Sequence, residues 1–352
     1  MAYKKYFAAA NTANGFVSYF SDIFAPEKLS RLYIIKGGPG TGKSTMMKLI
    51  ADTAAEKGYE PELYYCSSDP ASLDGVLIPE LSAAVIDGTP PHSTDPKYPG
   101  AVETLLDFGA YFDRGKLREQ REEIIRLCKK HSELYERASA YYSHAGAAAK
   151  EALAVYSSCV CEEKLSKLAK RTAEKLTSDK GEAKRGQVTA FSTAGFVRLD
   201  TFGPASVKRV AVCGSCGEGA LFIERICSEL SEKGIGYEYN VMNIMPDKRD
   251  IVYVPGSGLT FEAAGKPDKK AKQEFDKTIS SDRFTDKKRL SESKAKLRML
   301  KKIETSFYTE AVSYMRSAGE AHAGLERIYK NAVDFDGVRE LMRKVSEEIF
   351  GN

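Results

Sequence analysis

No run of this sequence is apolar for long enough to cross a bilayer, and tryptophan is absent altogether. The N-terminal segment MAYKKYFAAANTANGF carries two lysines but no apolar core behind them, so it does not read as a secretory leader. Seven cysteines in 352 residues, without a secretory address, predict reduced thiols in a cytoplasmic protein. A net charge of +4 is small for this length and argues neither for nor against an anionic partner. What remains is a globular composition, 42% hydrophobic and 29% charged, in a chain long enough for two domains.

The strongest chemical signal lies in LYIIKGGPGTGKSTMMKLIADTAAEKG. Residues 32–35 are a short apolar run of the kind that forms a buried parallel strand. Gly37-x4-Gly42-Lys43-Ser44 follows, which is the P-loop pattern. Met47, Ile50, Ala51 and Ala54 then recur at helical spacing, with Gly58 placed to end the helix. Glycines 37, 38, 40 and 42 allow the backbone to bend until successive N–H groups point at phosphate oxygens. The positive end of the following helix faces the same anion. Lys43 is expected to reach the β- and γ-phosphates of ATP or GTP, and the Ser44 hydroxyl to ligate Mg²⁺. The expected nucleotide-binding set is therefore Gly37, Gly38, Pro39, Gly40, Thr41, Gly42, Lys43, Ser44 and Thr45.

Residues 83–88, AAVIDG, form an apolar strand ending in an acid, 44 positions after Lys43. This is the Walker B form, and Asp87 is the second expected Mg²⁺ ligand, directly or through water. An acid that merely opens the turn Asp87-Gly88-Thr89-Pro90 is the plainer alternative. His92 and Asp95, in the Pro-rich loop beyond, are placed to position a water or an acceptor hydroxyl; a loop histidine can equally be a turn residue. Residues 61–66 suggest another strand, and the loop Ser67-Ser68-Asp69-Pro70 with Asp74 and Glu80 lies where open α/β sheets bind ligands, with ordinary loop capping as the plainer alternative.

The two halves of the chain align with each other. GGPGTGKST at 37–45 falls on GSCGEGALF at 214–222 with an offset of 177. Gly37, Gly40 and Gly42 recur as Gly214, Gly217 and Gly219, while Lys43 becomes Ala220 and Ser44 becomes Leu221. Pro70, Asp74 and Pro79 recur as Pro246, Asp250 and Pro255; Gly88 and Pro90 recur as Gly265 and Pro267, but Asp87 becomes Ala264. Residues 117–156 match 290–329 without a gap, with eleven of forty positions identical. The reading is a duplicated unit, 1–180 and 181–352, whose second copy keeps the shaping glycines and loses the phosphate and metal groups.

Residues 114–178 and 284–350 are helical in pattern. Ile124, Leu127, His131, Leu134 and Ala138 share a face, as do Leu290, Leu297, Leu300 and Phe307, and a helical hairpin appended to each unit is expected. Arg114, Arg118 and Arg121 fit either a lid over the nucleotide or a solvated helix face. The Lys-rich stretch 266–302 has interspersed acids and no interleaved aromatics, which argues against a nucleic-acid partner. Cys213 and Cys216, with Cys159 and Cys161, would hold a metal only if they met in space.

The runs NTANGF (11–16), GGPGTGKST (37–45), CSSDPASLDGVLIPEL (66–81) and AVIDGTPPHSTDPKYPGAVE (84–103), followed by a second copy, resemble an uncharacterised bacterial family of tandem P-loop ATPases found largely in Firmicutes. The resemblance spans nearly the whole chain and implies a cytoplasmic ATP-binding protein of unassigned substrate. Members of that family usually keep a working P-loop in the second copy; this chain departs there.

The expectation is an α/β protein of two tandem P-loop NTPase-like domains, each a parallel sheet with helices on both faces. Lys43, Asp87 and His92 are the catalytic candidates of an ATPase acting at the first site. The alternatives are a small-molecule or nucleotide kinase, suggested by the DGTP turn at 87–90, and a nucleotide-gated switch that engages a small-molecule or protein partner. An oligomer is compatible with all three.

Overall fold

The computed structural model describes residues 3–177, 179–199, 202, 207–265 and 275–351. Pro267 and the first part of the Lys-rich stretch, 266–274, lie outside the described residues.

The first half supplies strands β1 (Lys4–Phe7), β2 (Ala9–Thr12), β3 (Gly15–Ser18), β4 (Arg31–Lys36), β5 (Glu62–Tyr65), β6 (Leu73–Ile78), β7 (Ala83–Asp87) and β8 (Glu103–Asp107). The second supplies β9 (Ala183–Arg185), β10 (Thr189–Ser192), β11 (Gly195–Arg198), β12 (Lys208–Cys213), β13 (Tyr237–Val241), β14 (Arg249–Val254), β15 (Leu259–Ala264) and β16 (Lys277–Ser280). Two six-stranded sheets result, ordered β1-β5-β6-β7-β4-β8 and, read in the same sense, β9-β13-β14-β15-β12-β16. Each strand thus takes the position of its counterpart, and each half adds a two-stranded hairpin, β2-β3 and β10-β11. The duplication read from glycine and proline spacing is present in the topology.

The sheets are mainly parallel rather than wholly so. β4 runs parallel to both β7 and β8, but β6 is antiparallel to β5 and to β7, and β14 likewise to its neighbours. Asp74 is therefore a strand residue of β6, not a member of the loop before it.

Side chains along β4 alternate between two cores, as the pleat requires. Tyr33 and Ile35 pack with Met46, Met47, Ile50 and Ala54 of the helix Lys43–Glu56. Leu32 and Ile34 point the other way, into a cluster with Phe20 and Phe24 that also takes Val188, Ile251 and Tyr253 from the second half. Helices on both faces of each sheet were expected; the first sheet instead lays its inner face against strand residues of the other unit. The same alternation in β14 sends Val252 and Val254 outward into the helical core of the second sheet.

The helical hairpins expected within each unit are replaced by an exchange between units. The long helix Arg121–Ser157 runs antiparallel to Lys287–Lys330: Leu127 packs with Ala321 and Leu325, Tyr142 with Met315, and Tyr156 with Leu297 and Leu300. Each is followed by a shorter helix that lands on the opposite sheet. Leu165 and Ala169 of Glu162–Ala173 enter the second core. Val338, Met342, Val345 and Ile349 of Phe335–Phe350 enter the first. An exposed pair of long helices has little core of its own, so each gains burial by carrying its partner helix across. Packing therefore crosses the boundary expected near residue 180. No described helix is long and apolar enough to cross a membrane.

Candidate functional site

β4 delivers Gly37–Gly42 to the C-terminal edge of the first sheet, and the helix starting at Lys43 leaves from the same point. Gly40 and Gly42 have φ of 69° and 97°, in the left-handed region where a side chain is strained. The Thr41 hydroxyl, buried, donates to the Gly38 carbonyl at 2.9 Å and ties the loop across its mouth. The Lys43 ammonium donates to the same carbonyl at 2.8 Å and lies 3.5 Å from Asp87. β7 pairs in parallel register beside β4, with Ile35 opposite Asp87, which is why acid and lysine meet. Asp87 is further held by the Thr89 amide and hydroxyl, at 2.9 and 2.6 Å. The Ser44 hydroxyl accepts the Leu73 amide at 3.0 Å, and Thr45 is exposed on the helix.

The outside of this loop is covered by the other half of the chain. A Cβ on Gly38 would stand 2.6 Å from the ring of Tyr329, and one on Gly40 would stand 2.9 Å from the Glu326 carbonyl. Both contacts come from the end of the helix Lys287–Lys330, so the glycines serve close packing as well as backbone curvature.

Behind the lysine, Asp74 of β6 meets Asp87 and His92, their ligand atoms all within 4.8 Å of one another. His92 Nε2 is 3.8 Å from Asp74 Oδ1, and the imidazole stacks on Phe20 at 4.5 Å between centroids. Burial, with the neighbouring Asp87 charge, pushes the Asp74 carboxyl up to about 8. Burial also lowers the His92 imidazole below its ordinary value. His92 thus lies in this cluster, facing a buried carboxyl and an aromatic ring. Asp95 does not join it: its exposed carboxylate pairs with Lys36 at 3.1 Å. Arg114 and Arg118 are exposed on the short helix Arg114–Glu119, and Arg121 is exposed at the start of the long helix, as a solvated face would have them.

At the level of sequence Asp74 reads as part of a ligand-facing loop; its place inside a strand beside Asp87 is not legible there. LDGVLI breaks the apolar alternation at Asp74-Gly75, so the strand is disguised; a buried acid flanked by apolar residues was the available signal.

The second loop keeps only part of the first loop's shape: Gly219, at the position of Gly42, is not left-handed and opens the helix itself. Gly217 has φ of 81°, matching Gly40. Glu218, at the position of Thr41, is buried and its carboxylate accepts the amides of Ser215 and Cys216. The seven cysteines are free, and no cysteine belongs to a group of metal-ligand spacing among the described residues.

No protein-family model, no curated protein and no solved structure matches this chain.

Proposed function

We propose that the first half binds a nucleoside triphosphate, ATP or GTP, with Mg²⁺, and hydrolyses it, while the second half is a nucleotide-free structural counterpart. The observation that carries this reading is the meeting of Lys43 and Asp87, 3.5 Å apart, at the mouth of a glycine loop that opens a helix.

The residues fit the group. A half-buried ammonium resting on a carbonyl of its own loop can turn to a phosphate without crossing the core. Backbone amides from Gly40 to Thr45, with the helix N-terminus behind them, favour a polyanion there. Ser44 and Asp87 would hold the metal, which when bound neutralises charge on the phosphate oxygens. Lys43 then stabilises charge gathered on the transferring phosphoryl group, with water as acceptor.

A second reading, the nucleotide-gated switch, is favoured by one specific observation. The loop touches Glu326 and Tyr329 of the second half, so any movement of the loop is felt by the long helix pair. Calorimetric titration with ATP and with GTP, in the presence of Mg²⁺, tests binding. Phosphate release under multiple turnover then separates the enzyme from the switch: a switch binds and barely turns over.

A further inference from the structure

We propose that Asp74, Asp87 and His92 form a binding site for one divalent transition-metal ion of the manganese, iron or zinc kind. This site shares Asp87 with the Mg²⁺ position proposed above but does not use Ser44, and it does not rest on the nucleotide reading.

Two adjacent strands and the loop beyond them converge on it: β6 brings Asp74, the end of its antiparallel neighbour β7 brings Asp87, and the loop after β7 brings His92. Their ligand atoms lie within 4.8 Å of each other. An ion held at about 2.0–2.2 Å from oxygen and nitrogen needs its ligands roughly 3–4 Å apart, so a contraction of at most about 1–2 Å completes the geometry.

The side chains are built into the interior. Asp74 and His92 are 7% and 6% exposed at their side chains. Among the described residues, Asp74 Oδ2 and His92 Nδ1 are buried with no hydrogen-bond partner. At 3.8 Å the Asp74–His92 approach is too long for a hydrogen bond, yet it suits two ligands of one ion. Buried polar atoms without a partner are costly, and a bound metal ion supplies both of them with one. Lys43 provides a positive charge beside Asp87, but at 3.5 Å it serves that carboxylate rather than the pair behind it.

Outer contacts hold the ligands in place. Phe20 stacks on the imidazole at an interplanar angle of 11°, and Thr89 grips Asp87 through its amide and hydroxyl. Supports of this kind set the orientation of metal ligands. One imidazole with two carboxylates favours manganese, iron or zinc; magnesium prefers an all-oxygen shell with several waters.

The other half supplies a contrast. Asp250 stands at the position of Asp74, but Ala264 replaces Asp87, and there Asp250 accepts a hydrogen bond from the Asn240 amide at 2.6 Å. Where the triad is broken, the acid has acquired a protein partner.

The test is Mn²⁺ binding to the full chain without nucleotide, followed by loss of the free-ion electron paramagnetic resonance signal. Wild type is expected to take up one Mn²⁺, and D74N and H92Q to bind it at least about tenfold more weakly. S44A should bind as wild type does, and Lys43→Ala at least as tightly, because a competing ammonium is gone. D74N keeps the shape of the side chain, and circular dichroism verifies that each variant is folded. Failure of wild type to bind Mn²⁺, or unchanged binding in both D74N and H92Q, would overturn the site. If ATP fails to bind while Mn²⁺ binding follows this pattern, the nucleotide reading falls and the metal site stands.

Discussion

The carboxylate of Glu218 accepts the backbone amide of Ser215 at 2.7 Å, inside the loop whose counterpart we assign to phosphate. The Ser281 hydroxyl adds a third donor at 3.4 Å. The second loop therefore carries its own anion as a side chain. Glu218→Ala is expected to cost about 1–3 kcal/mol through the amides it leaves buried without a partner. It should not create a second nucleotide site, since Ala220 and Leu221 offer neither ammonium nor hydroxyl. Thermal melts and the stoichiometry of an ATP titration check both halves of this statement; two equivalents bound would contradict it.

Lys43→Ala should abolish ATP binding in calorimetry, with affinity falling by at least about 100-fold, consistent with loss of a charge-assisted contact worth a few kcal/mol. Replacing Ala220 by Ser should leave the titration as it was. Equal losses from both substitutions would remove the asymmetry between the halves.

Gly38 faces the ring of Tyr329 so closely that an added methyl group must displace it. Gly38→Ala is therefore expected to destabilise the protein by about 1–3 kcal/mol. The double variant with Tyr329→Ala should recover part of that loss, because the obstacle is a side chain from the other half. A double-mutant cycle in urea measures the coupling. Strict additivity would mean that the loop and the long helix do not bear on each other.

Deleting the chain from Asp334 onward removes Val338, Met342, Val345 and Ile349 from the first core. At about 1.5–3 kcal/mol for each buried side chain, the loss is about 6–12 kcal/mol, the whole stability of a typical domain. The truncated protein should be protease-sensitive across residues 31–107 and fail to bind ATP, although every loop residue is present. A soluble truncation with an unaltered ATP isotherm would refute the exchange of helices.

Glu262 is buried, and burial alone would raise its carboxyl; the hydrogen bonds and charges of Arg198 and Arg209 overcome this and hold it below the usual carboxylate range. A folded-state value below the unfolded one means that the contribution is complete above about pH 4.3 and is lost as pH falls through the folded value. Glu262→Gln should thus cost about 2–4 kcal/mol at pH 7, where two arginines lose a charged partner. The difference from wild type should shrink on acidification toward pH 3. Urea denaturation at the two pH values measures it, and a gap that widens in acid would reverse the assignment.

The loop, its strand and helix, and Asp87 were legible because their signals are local: a glycine pattern, an apolar run, an acid at a strand end. The duplication was legible for the same reason, since spacing survives where chemistry does not. Two features were hidden. The Asp74–His92 contact depends on an antiparallel strand interrupted by Asp74-Gly75, which the alternation rule reads as loop. The exchange of the short helices left no trace, because Leu165 and Val338 are apolar at helical spacing whichever sheet receives them. Periodicity identifies the face that is buried; it carries no address for the surface that buries it.

The exchange also sets an order on biosynthesis. The helix Phe335–Phe350 follows every other described element along the chain, yet it seals the core formed around β4, the strand that carries the loop. During translation the first sheet must wait, with one apolar flank uncovered, until more than two hundred further residues have been added. Packing around the glycine loop is thus completed only after Phe335–Phe350 has been made, and a chain stopped before that helix has no finished first core.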